Sequence, residues 1–165
     1  MYLPFEAPNE IIALLKSFPE FEFYCYHPQL KDETINQHIH LREPCRLGFL
    51  NDMVSAAGVI GNAGFELSSE ALRYGKKLLL KPLQGQFEQA SNAFTLKKLG
   101  LANNMSCLNS DAVDDWLRLD AIKGINFPND PKPLANWVLD DKRDIKSLST
   151  NLWKNVDLSA ANTIY

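Results

Sequence analysis

Short β-prone runs alternate with single helix-patterned stretches along most of this 165-residue chain, and that alternation leaves few architectures open. Two strands separated by a helix run parallel, because only a crossover of that length brings the chain back to the same end, and the crossover is right-handed. The expected fold is therefore α/β, a Rossmann-like parallel sheet with helices on both faces.

Tyr2 and Leu3 before Pro4 predict a very short first strand, and Pro8-Asn9-Glu10 opens a helix that buries Ile11, Ile12, Leu14 and Leu15. Residues 21–26 predict the second strand, and residues 31–44 read as polar and irregular. A strand near Arg46 and Leu47, a helix from Asn51 or Asp52 to Ala57, and a strand at Val59 and Ile60 come next. Residues 66–74 predict a helix with Leu67, Ala71 and Tyr74 on its inner stripe and Gly75 past its end. A strand at 78–80, a helix at 86–99 stopped by Gly100, a short strand within 101–108 and a helix capped by Ser110 complete the order. Residues 1–123 are expected as the Rossmann-like domain. Residues 124–165, opening on Pro128, Pro131 and Pro133, are expected as its helical extension, which holds Trp137, Leu139, Leu152 and Trp153.

A hydrophobic fraction of 45% with 22% charged residues belongs to a folded chain able to bury one core. The net charge of -3, with no Lys/Arg cluster interleaved with aromatics, points away from nucleic acid. No segment approaches the run of about 18 apolar residues that spans a bilayer, and Met1-Tyr-Leu-Pro-Phe-Glu has no signal-like pattern, so a cytoplasmic protein is expected. Cys25, Cys45 and Cys107 are odd in number and set among apolar residues, which predicts buried free thiols. His27, His38 and His40 near Cys25 offer metal-ligating types, but no second closely spaced pair completes a tetrahedral set. A solvated polar segment is expected there, with no metal and no cofactor.

In open α/β sheets ligands sit at the carboxyl ends of the strands, where loops present N–H groups and helix N-termini favour negative charge. Two loops there are well equipped. Asn62, Ala63, Gly64 and Phe65 let a diphosphate approach the backbone at the start of a helix, although small residues are also ordinary turn chemistry. Glu70, six residues beyond Gly64, has a carboxylate able to accept from both hydroxyls of a ribose, or else to stand solvated or pair with Arg73. Gln84, Gln86, Glu88 and Gln89 crowd the second loop with groups suited to sugar hydroxyls, or simply to capping the next helix.

The stretch Val59-Ile-Gly-Asn-Ala-Gly-Phe-Glu-Leu-Ser-Ser-Glu70, then Gly75-Lys-Lys-Leu-Leu-Leu-Lys-Pro82, then Glu88-Gln-Ala-Ser-Asn-Ala93 resembles the donor signature of glycosyltransferases with the two-domain GT-B architecture. The likeness is closest to family 28-like enzymes and more distant from the plant and animal UDP-glycosyltransferase box. It implies that Gly64 and Glu70 bind phosphate and ribose, and that Glu88 and Gln89 contact the donor sugar. Phe49-Leu50-Asn51-Asp52-Met53 is similar to the Phe-Ile-Asp-Asp-Met stretch of peptidoglycan N-acetylglucosaminyltransferases, which implies that the Leu50 backbone meets uracil. Two departures stand out. Asn62 occupies the place of a phosphate-contacting His in the plant and animal box, and Pro4-Phe5-Glu6 lacks the Gly-rich turn of some relatives.

The resemblance implies a donor-binding, C-terminal GT-B domain of an inverting, metal-independent glycosyltransferase that passes a hexose or N-acetylhexosamine from a UDP-sugar to an acceptor the sequence does not name. The catalytic base is expected on an N-terminal acceptor domain, in a protein about twice this length. The alternatives are a stand-alone donor subunit paired with an acceptor chain, and a non-catalytic nucleotide-binding or epimerase-like module.

Overall fold

The computed structural model describes residues 1–140, 144–159 and 161. Its first strand is reduced to Tyr2, which makes parallel bridges to Tyr26 on one side and Gly61 on the other. The Tyr2 N–H donates to the Ile60 carbonyl (2.8 Å) and the Met1 carbonyl accepts from the Tyr26 N–H (3.0 Å). Tyr2 thereby stitches two three-stranded halves together. One half has the order β1 (Phe23–Tyr26), β3 (Ile39–Arg42), β2 (Glu33–Ile35), and the other β4 (Gly58–Gly61), β5 (Lys77–Leu80), β6 (Asn103–Asn104). Every pairing is parallel except β2 with β3. The chain winds outward from Tyr2 in one direction, then returns to β4 and winds outward in the other, so the crevice beside Tyr2 is the topological switch point.

Alternate residues of a strand face opposite sides of a sheet, and the buried side chains sort accordingly. Ile60 and Leu79 join one core with Leu3, Ile11 and Leu15 around α1 (Pro8–Leu15). Val59, Leu78 and Leu80 join a second with Met53 of α2 (Arg46–Ser55), Ala71 and Leu72 of α3 (Phe65–Arg73), and Ala93 of α4 (Phe87–Lys98). Helices cover both faces, as the alternation predicts. Val113 and Trp116 bring α5 (Ser110–Leu117) into the first core.

Several local expectations are overturned. The stretch at 31–44 contains a β2–β3 hairpin whose turn puts Asn36 and Gln37 at φ of 50° and 65°; strands of three and four residues are too short for the alternation of buried Ile39 and Leu41 with His40 and Arg42 to stand out. Arg46 and Leu47 begin α2 instead of forming a strand, because an apolar run as short as Leu47-Gly-Phe-Leu50 fits either period. Ala71 is buried on α3 as expected, but Tyr74 is 44% exposed and Leu67 only half-buried, and Ser68 and Leu72 complete the inner face. Asn109 caps α5, its side chain accepting from the Ala112 N–H (2.8 Å), and Ser110 is the first helical residue. Only Cys25 is buried; Cys45 and Cys107 are exposed free thiols. His27 and His38 are buried rather than solvated.

Past α5 the chain crosses back over the end of α3. The Ile125 N–H donates to the Leu72 carbonyl (3.0 Å), and Ile125 enters the second core. Gly75, at φ +68°, and Gly124 lie back to back at this crossing. Helices α6 (Lys132–Leu139) and α7 (Ile145–Trp153) follow, and Trp153 meets Phe127 edge to face. No helix among the described residues is long and apolar enough to cross a membrane.

Candidate functional site

At the carboxyl end of the sheet, α2 and α3 diverge above Tyr2 and Tyr26 and leave a cavity of about 320 Å³. Pro44, Cys45, Arg46 and Phe49 line one wall, and Glu66, Leu67 and Glu70 the other. Its floor is aromatic. Phe49 packs edge to face on Tyr2 (5.8 Å between centroids) and on Tyr26 (5.2 Å), geometry that fixes all three rings. The Tyr26 hydroxyl donates to Asp52 at 2.6 Å. Burial and then that hydrogen bond push the phenol above its usual range.

Two of the sequence-predicted residues, Phe49 and Glu70, meet in this cavity. Leu50 is half-buried one position further along α2 and is not among the lining residues. Glu70 is held by Arg46, whose Nη1 donates to Oε2 at 3.1 Å and whose Nη2 donates to Oε1. The arginine partner is thus Arg46 from α2, where the sequence offered Arg73. Such a fork engages both carboxylate oxygens and still leaves each a free lone pair.

Gly64 is the N-cap of α3 in an extended conformation, and no side chain caps the helix. The first-turn N–H groups therefore lack intrahelical partners. A Cβ built on Gly64 meets nothing within 4 Å, so the space over this turn is open. Phe65, 71% exposed, flanks it. Asn62 and Ala63 are buried and serve the fold: the Asn62 amide donates to the Lys81 carbonyl (2.7 Å), and the Ala63 carbonyl accepts from Asn92 (3.0 Å).

The second loop stands apart from the cavity, after the neighbouring strand β5. Gln86 is the N-cap of α4 and supplies no side-chain cap; Gln84, Gln86 and Glu88 are exposed. Gln89 is half-buried, and its Oε1 accepts from the Leu83 N–H (3.0 Å), which braces the loop. Adjacent strands lie about 4.8 Å apart, so this loop and the Gly64 turn are neighbours at the same end of the sheet.

Two features here had no sequence signal. Lys81 Nζ meets Glu6 Oε1 at 2.5 Å across the end of β4, with side-chain exposures of 12% and 15%. The ring of His27, 1% exposed, lies 3.1 Å from the Glu6 carbonyl through Nε2. The pair joins residues 75 positions apart, a separation at which no local pattern operates. Arg46 is the other, concealed by its assignment to a strand.

The sequence profile of glycosyl transferase family 1 matches residues 1–119. No curated protein matches the chain. Among solved structures it is similar to the glycotransferase of kitacinnamycin, with a TM-score of 0.58 and 13% identity over 70% of this chain and 33% of that one. The chain thus spans about a third of that protein's length. The likeness shows the fold to be a GT-B Rossmann-like domain.

Proposed function

The chain belongs to glycosyl transferase family 1, and from that membership we propose that it is the donor-binding half of a GT-B glycosyltransferase, of family 28-like type, that holds a UDP-sugar. The observation that carries this reading is the cavity itself, where Phe49 and Glu70 converge beside the open N-terminus of α3. The base and ribose of the nucleotide occupy the cavity, with the ribose hydroxyls on Glu70. The diphosphate lies over Gly64 and Phe65, where unpaired N–H groups and the helix dipole favour its charge. Gln86, Glu88 and Gln89 then face the sugar.

In the transfer, an acceptor hydroxyl attacks the anomeric carbon from the face opposite the nucleotide. The bond from that carbon to the diphosphate oxygen breaks, its electron pair leaves on the diphosphate, and configuration inverts. The hydroxyl proton passes to a base on an N-terminal acceptor domain or separate acceptor subunit. The α3 N-terminus stabilises the departing charge without a metal ion. Partial coverage of the kitacinnamycin enzyme fits a role that another domain or chain completes.

Calorimetry tests the reading in two ways. UDP should bind the 165-residue chain equally well with and without excess chelator; loss of binding in chelator, restored by a divalent cation, counts against a metal-independent site. The double change Glu88→Ala, Gln89→Ala should leave UDP affinity nearly intact and weaken UDP-sugar by about 1 to 3 kcal/mol, near the low end where water replaces lost partners. Because Gln89 also braces Leu83, UDP is the internal control. Equal losses for both ligands would reduce this loop to helix support.

A further inference from the structure

We propose that Arg46 is the cation that receives the nucleotide's phosphates, exchanging Glu70 for them when the ribose takes that carboxylate. The inference rests on the donor-site reading above and names a residue to which neither the resemblance nor the family match gives a role.

Charge around the cavity motivates it. The two carboxylates of Glu66 and Glu70 line one wall, and Arg46 is the one cation among the lining residues. Glu66 stands in the first turn of α3, beside the N–H groups over which the diphosphate lies. Like charges about 4 Å apart near a protein surface repel by several kcal/mol at an effective dielectric of 20, so a diphosphate brought to this turn needs a counter-charge. One helix dipole is shared between Glu66 and the ligand and does not supply it alone.

Arg46 is placed to do so. It is the first residue of α2, so its backbone is fixed at the cavity rim, while its side chain is 65% exposed and has open space to turn into once Glu70 lets go. An ion pair this exposed contributes little, so releasing it costs little. Ribose hydroxyls donating to the remaining lone pairs of Glu70 draw on its charge and weaken its hold on the fork, and the guanidinium then turns to phosphate oxygens, which match its planar geometry as well as the carboxylate did.

Uridine and UDP separate the two roles, because uridine carries the ribose and lacks the phosphates. With wild type, Arg46→Ala and Arg46→Lys compared by calorimetry on both ligands, Arg46→Ala should bind UDP about 10- to 100-fold more weakly while uridine affinity holds or rises. Arg46→Lys, which keeps the charge and loses the fork, should fall between wild type and Ala for UDP. Equal losses of UDP and uridine would make Arg46 only a brace for Glu70 and overturn the proposal. So would unchanged UDP affinity in Arg46→Ala, or a lysine variant no better than alanine. A wild-type chain that binds neither ligand would instead remove the donor-site reading, and this inference with it.

Discussion

Valine at Gly124 is expected to destabilise the fold by about 3 kcal/mol and to lower the melting temperature by about 6 to 12 °C. A Cβ at this position would lie 2.6 Å from the Arg73 carbonyl oxygen and 3.3 Å from the Gly75 nitrogen. Both are backbone atoms, so no side chain can turn aside to make room. Across the same contact, Gly75 at φ +68° would bring its own Cβ within 2.7 Å of the Ile122 carbonyl oxygen. To relieve the clash the 122–125 segment must lift, and lifting it withdraws Ile125, 1% exposed, from the second core. Gly64→Ala is the matching control. Its φ is -70° and its Cβ would meet nothing, so its stability should stay within about 1 kcal/mol of wild type. Thermal melts that shift alike for both variants would show that the crossing does not depend on close backbone approach.

Glu70→Ala should weaken UDP binding by about 1.5 to 3 kcal/mol, the range for hydrogen bonds to a charged group, with little change in fold stability. The two halves of this expectation have separate causes. Binding suffers because ribose hydroxyls lose their acceptor, while Glu66, the other carboxylate lining the cavity, stands in the first turn of α3 beside the phosphate position. Stability is spared because the partner, Arg46, is exposed and returns its guanidinium to water. Calorimetry on UDP beside a melting curve reads both. A lowered melting temperature with unchanged affinity would make Glu70 a structural residue and remove it from the proposed donor site.

Glu70 and Gly64 were legible because local rules place them: a strand end, a run of small residues and a helix put both at the ligand-binding edge of any open α/β sheet. The alternation of elements likewise predicted helices on both faces. The β2–β3 hairpin is hidden by its length: strands of three and four residues carry too few alternations to mark a period, and only Ile39 and Leu41 of β3 are apolar. Arg46 depends on that hairpin, since a strand at 39–42 leaves the residues after Pro44 to form the first turn of a helix. Lys81 with Glu6, and Tyr26 with Asp52, belong to another category. Their partners come from separate elements, and only the assembled sheet brings them together.

The hairpin has a consequence for the sheet as a whole. Strand β2 ends it on one side with three residues, of which Glu33 and Thr34 are exposed, and β6 ends it on the other with two. An outermost strand is a template onto which another molecule can add its own backbone, and its hazard grows with length and apolar character. Here both templates are too short and too polar to recruit one. The domain should accordingly remain dispersed at high concentration rather than polymerise through strand addition.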